Sequence, residues 1–167
     1  MNTPASWVMA LTYWLHLLAT VVWIGSLAAV NLLVLPSLQS LEAATQARFI
    51  SALQKRLEPL AWFCMGILLA TGMFQMSANA HYNGFLDASA QWSLSILIKH
   101  ILGVLMVAVS ALQTWDVIPA LQRALMKKEN ADSAELVRLQ KRERMLLRVN
   151  LFLSAFILAA TAFARAA

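Results

Sequence analysis

The chain has 167 residues, 60% of them apolar and only 13% charged, with a mean hydropathy of +0.66. A soluble domain carries about a quarter of its residues charged, so a water-soluble globule and a disordered chain are both excluded, and at about 20 residues per bilayer crossing the length suits four spans and modest loops. The net charge of +5 comes from basic residues that flank apolar stretches and alternate with Glu129, Asp132, Glu135 and Glu143, which gives no reason to invoke a nucleic-acid partner.

The first span, residues 7–35, has no charged side chain. It is too long for the apolar part of a signal peptide and has no basic lead-in, so it reads as a retained span. His16 lies about nine residues into it, with Thr20, Trp23 and Asn31 within about 60° of the same helix face at 100° per residue. Residues 38–58 place Phe49, Leu53 and Leu57 at four-residue spacing, away from Arg48, Ser51 and Lys55, as in an amphipathic helix at a membrane surface. The second span, 59–77, is uncharged and holds Cys64, Met73 and Met76. A single cysteine excludes a disulfide framework, a CxxC pair and a cysteine zinc site, and Cys64 reads as a packing residue.

The loop from Ala78 to Gln91 has no Lys or Arg and contains His81 and Asp87. The third span, 92–115, carries one charge, Lys99, next to His100, with Gly103, Val107, Ala111 and Thr114 beneath the histidine. Residues 120–145 are basic and amphipathic, and Asp132 with Glu135 forms a start resembling a capping box. No Gly or Pro follows before Phe163, so the last helix is expected to begin outside the bilayer and run unbroken through the span at 146–164. Asn150, Ser154 and Thr161 fall on one stripe of it that should face the bundle or line a proton or solute path.

Lys and Arg concentrate in the first and third connections. Cationic loops stay in the cytoplasm, so both termini are expected outside, in a bacterial-type inner membrane. The halves of the chain also match each other. HLLATV at His16 pairs with HILGVL at His100, VLPSLQ with VIPALQ around Pro36 and Pro119, and ILLATGMF at Ile67 with ILAATAFA at Ile157. Two tandem helical hairpins follow, related by an axis along the membrane normal.

That repeat sets His16 and His100 at one depth. Two neutral imidazoles facing across a helical bundle are axial ligands for a b-type haem, here between spans 1 and 3. A duplicated hydrogen-bonding device and a proton relay are the other readings of the pair. Lys99, a cation inside a span, either snorkels to the outer surface or pairs with a haem propionate or Asp87. A rival site is a copper cluster of Met73, Met76 and His81, with Met9 at the same level, since thioether and imidazole suit Cu(I). No nucleophile–base pair, phosphate loop or zinc motif is present to carry hydrolase or NTPase chemistry.

The strings LHLLATVVWIGSLAAVNLLVLPSL, RFISALQKRLEPLAWFCMGILLATGMF, the Lys99–His100 pair and RERMLLRVNLFLSAFILA resemble small four-span CopD-like (copper resistance D type) membrane proteins over nearly the whole chain. The resemblance implies an inner-membrane protein of copper or haem handling. The group is more distantly similar to HemJ-type protoporphyrinogen oxidase, where His16 matches a first-span histidine. The Lys-His order at residues 99 and 100 departs from the His-x-Lys of that family. The expected fold is an all-α integral membrane four-helix bundle. The leading functional reading is a b-type haem protein with an electron-transfer or redox role, and the alternative is copper transport or resistance. Porphyrinogen oxidation is third, and a structural accessory subunit is the remaining reading. Expected partners are the lipid bilayer and a quinone or a periplasmic redox or copper partner, with Gly66 and Gly72 permitting the close helix contact of a homo-oligomer.

Overall fold

A computed structural model describes residues 5–79, 84, 91–126 and 133–166. Among these there is no strand. Helix α1 runs Ser6–Ala29, passes through a π-helical turn at Val30–Val34 and ends with Leu35–Ser37. Helix α2 is Ala43–Ser77. Helix α3 runs Gln91–Leu112, widens into a second π turn at Gln113–Val117 and continues as Ile118–Met126. Helix α4, Ser133–Ala166, is continuous from the basic connection to the far end of the bundle. All four are long and apolar enough to cross a membrane.

The packing is two antiparallel hairpins, α1 with α2 and α3 with α4. The hairpins meet mainly at the end that carries Arg48, Lys55, Arg56 and the basic residues of α4, called here the basic end. There Val30, Leu35 and Leu38 of α1 pack on Ile50 of α2 and Leu147 of α4, while Ala47 of α2 meets Leu121 and Ala124 of α3 and Leu136 of α4. Trp62 of α2 stacks on Trp115 of α3 with ring centroids 5.8 Å apart. Gln46 donates to the Leu38 and Leu41 carbonyls just beyond the end of α1, and Arg144 of α4 donates to Gln46 at 2.7 Å, so one side chain closes a helix end and ties it to the opposite hairpin.

The internal repeat extends to backbone detail. The π turns come six residues before Pro36 and Pro119, and in each the residue ahead of the proline donates five residues back, Leu35 to Val30 and Ile118 to Gln113. A proline ring clashes with the carbonyl four residues earlier, and the widened turn relieves that clash without ending the helix. Burial repeats as well: Val30, Leu35 and Leu38 are buried, and so are Gln113, Ile118 and Leu121 at the matching positions. Residues 38–58 differ from the sequence expectation of a separate surface segment. From Ala43 onward they belong to α2, which passes through Pro59 without a break. Pro59 removes only the backbone bond to the Lys55 carbonyl, at an exposed position, and packing of the flanking turns outweighs one lost bond.

The polarity of the molecule is inverted relative to a soluble bundle. Trp7, Val21, Leu33, Phe63, Val104, Trp115 and Phe152 point outward, while Gln54, Thr71, Gln113, Glu143, Asn150 and Ser154 are buried. Hydrocarbon outside and polar groups inside satisfy both sets at once. One polar contact on the surface has little structural weight. Arg142 and Asp116 pair at 2.7 Å with both side chains about half exposed, so Asp116→Asn should change the thermal midpoint in detergent by no more than about 1 kcal/mol of stability allows.

Candidate functional site

The half of the bundle away from the basic end holds the two span histidines. His16 of α1 has its Nδ1 2.8 Å from the Thr71 hydroxyl of α2. Thr71 has one proton, and it goes to the Ile67 carbonyl at 2.6 Å. The hydroxyl oxygen therefore accepts from His16, which fixes the Nδ1–H tautomer and leaves the lone pair on Nε2. Gly72 makes room for the ring, since a Cβ there would lie 3.5 Å from His16 Cε1 and anything longer would push the imidazole away. One turn further out, Gln75 of α2 donates to the Thr12 carbonyl at 3.1 Å and locks the register of the hairpin.

His100 of α3 reaches the same protonation pattern by another route. Its Nδ1 is 2.7 Å from the Ile96 carbonyl of its own helix. A carbonyl only accepts, so Nδ1 carries a proton. Thr161 donates to Ile157 as Thr71 does to Ile67, ninety positions apart in the repeat. The hairpins thus share the threonine and the histidine but not the bond between His16 and Thr71. Helices α1 and α3 sit on a diagonal and share no substantial packing. Lys99, beside His100, is half-buried. Arg165 of α4 sits 5.6 Å over the Tyr13 ring of α1. The acidic side chains of the described residues, Glu42, Glu58, Asp116, Glu135 and Glu143, all belong to the basic half.

The sulfur residues separate by face. Met76 is buried, whereas Met73 is 51% exposed on the outer surface of α2. His81 and Asp87 lie outside the described residues. Met65, Met106 and Cys64 are buried inside the bundle, and Ser154 of α4 donates to the Met106 sulfur at 3.8 Å. Met65 and Met106 were not candidates from sequence, because methionine is ordinary in an apolar helix and its face is unknown until the helices are packed. Each is six positions deeper than a histidine-site residue, Met65 below Thr71 and Met106 below His100, which is about 9 Å at 1.5 Å per residue. Met76 is about 7 Å above Thr71 on the same scale. Among the described residues no three His, Cys, Asp or Glu side chains gather as a hard-metal cluster.

Beneath these donors, toward the basic end, a cavity of about 60 Å³ opens between the hairpins. Its wall includes Met65, Gln54, Glu58, Ser110, Gln113 and Asn150. From the far end inward the bundle therefore carries a buried thioether, two half-buried imidazoles, two more buried thioethers with a thiol, and a small polar chamber.

Residues 51–164 match the family described as copper resistance protein D (CopD). No curated protein and no solved structure matches the chain. The match supports an association with copper and gives no support to haem, to electron transfer or to a likeness with HemJ-type oxidases. With more than half its length matched and four helices fit to span a bilayer, the chain is a multi-pass membrane protein of the CopD family.

Proposed function

We propose that the protein moves or exchanges cuprous ion across the bilayer through the interior of the bundle. The observation that carries this reading is the succession of soft donors along the bundle: buried Met76, then half-buried His16 and His100, then buried Met106, Met65 and Cys64. Thioether, imidazole and thiolate ligands suit Cu(I), and among the described residues no carboxylate cluster suited to hard divalent ions stands beside them. The imidazoles would hold the ion through Nε2, since both have Nδ1 engaged as donor.

Charge argues for passage rather than storage. Lys99 neighbours His100, the repeat counterpart of His16, and its positive charge at that level opposes a cation resting there. By the distribution of Lys and Arg, the basic end faces the cytoplasm and the histidines lie in the outer half, within reach of a periplasmic copper-carrying partner. Reconstituted protein should therefore accelerate Cu(I) entry into vesicles loaded with a cuprous chelator. Vesicles that leak no copper above a protein-free control would refute the proposal.

Thr71 should act through His16. Thr71→Val removes the acceptor for Nδ1–H and frees the tautomer and ring orientation, and loss of such a partner costs about 10–100-fold in metal affinity. Thr71→Ser keeps the acceptor and should retain most of it. A competition titration against a chromophoric cuprous chelator reads both variants.

A further inference from the structure

The basic half holds a group of buried polar side chains whose hydrogen bonding is incomplete. Glu143 of α4 is 1% exposed. Its Oε1 accepts one long bond, from Gln54 of α2 at 3.5 Å, and its Oε2 has no partner. Asn150, also 1% exposed, donates to Ser110 of α3 at 3.0 Å and leaves its own Oδ1 bare. Asn31 of α1 donates to the Leu27 and Leu147 carbonyls and leaves Oδ1 bare as well. Residues 143, 147 and 150 share one face of α4, so the three unmet oxygens surround the Leu147 turn, and Leu147, Asn150, Gln54 and Ser110 all line the 60 Å³ cavity.

Three of the four unmet buried side-chain atoms among the described residues are these acceptor oxygens, and the fourth is the Arg144 Nε–H donor; Asn31 has used both of its amide donors and Asn150 one. Buried acceptors in native proteins are rarely left unmet, so whatever completes this site brings protons. A cavity of this size has room for a small cluster of waters, and water meets several such groups at once. The carboxyl group has the same need, because an ionised Glu143 leaves Oε2 without a donor whereas a proton on Oε2 turns it into one.

The charged neighbours allow both states. Helix α1 brings no charged side chain to this level. Helix α2 contributes Glu58 on the cavity wall, which opposes a second negative charge. On α3 Asp116 is engaged by Arg142 at the surface. On α4 Arg144 lies beside Glu143 and favours its anion, although its guanidinium bonds to Gln46.

We infer that Glu143 is a proton-exchange site, loaded and unloaded through a small water cluster in the cavity beside Asn150. The step is balanced: the carboxylate takes a proton from hydronium to give the carboxylic acid and water, and the reverse returns it. The site does not depend on copper. Where the copper reading holds, a proton leaving as Cu(I) enters would keep the interior from accumulating charge.

Infrared spectroscopy of the purified, copper-free full chain, titrated in H2O and in D2O, tests this. The expected result is a protonated-carboxyl C=O band that is lost in Glu143→Gln, fades as pH rises and shifts promptly in D2O. Asn150→Leu, which fills the water site while keeping Glu143, should slow that exchange at least tenfold. A wild-type protein with no such band at any pH where it stays folded would overturn the proposal, and so would a band that does not exchange. Neither result bears on copper binding, so the two readings fail separately.

Discussion

Replacing His16 with alanine should lower cuprous-ion affinity by about a hundredfold or more while leaving the bundle folded. The side chain is half-buried at the junction of α1 and α2, and its bond to Thr71 is one polar contact. Losing it leaves the Thr71 oxygen without its second partner, and the hydroxyl still donates to Ile67. A net hydrogen bond is worth about 1 kcal/mol, so the melting temperature should fall only slightly. A metal ligand lost from a low-dielectric interior costs far more, because the bare ion has no water to replace it. His100→Ala should show the same split between affinity and stability. If both imidazoles serve one ion as it passes, the double variant should be little worse than either single one, the non-additivity expected of residues that act together.

Lys99→Met should work in the opposite direction. Lys99 is the one formal charge set well inside the third span, half-buried and next to His100. Removing it takes away a like charge from the copper position. At an effective dielectric constant of about 20, one unit charge several ångströms away is worth about 2 kcal/mol, or more than tenfold in binding. The variant should hold Cu(I) at least tenfold more tightly and release it correspondingly more slowly, so that equilibrium binding rises while vesicle transport falls. Lys99→Arg keeps the charge and should resemble the native protein in both assays. Tighter binding with unchanged transport would show that Lys99 does not limit release.

Much of the architecture was legible because lipid imposes simple rules. Uncharged runs gave four helices, and matched strings around Pro36 and Pro119 gave two hairpins whose π turns then fell at equivalent positions. The π turns themselves were not legible, since nothing in VNLLV or QTWDV requires a widened turn until the following proline is placed within a continuing helix. Residues 38–58 were amphipathic as read, but their fusion with the second span was hidden by Pro59, which ordinarily ends a helix. The stripe of Asn150, Ser154 and Thr161 does turn a buried face to the bundle at Asn150 and Ser154.

The site was legible in its rarest residues only. His16, Lys99 and His100 stood out because each is polar in an apolar run. Thr71 lay in a quoted string without a role, and its importance rests on a contact 55 positions away in sequence. Met73 and Met76 looked alike in sequence, yet three residues of helix rotation expose one and bury the other. Glu143 sat in a run of charges that reads as a solvated face, and only the packing of α2 against α4 at Gln54 shows that it is inside.

The copper path is tested most directly by the X-ray absorption spectrum of the purified protein loaded with one equivalent of Cu(I), compared with His16→Ala and His100→Ala. The account predicts a cuprous edge with both nitrogen and sulfur in the first coordination shell, and loss of the nitrogen contribution in the histidine variants. Copper bound with an unchanged spectrum in those variants would contradict it, as would a protein that takes up no copper and instead purifies with a reducible haem band.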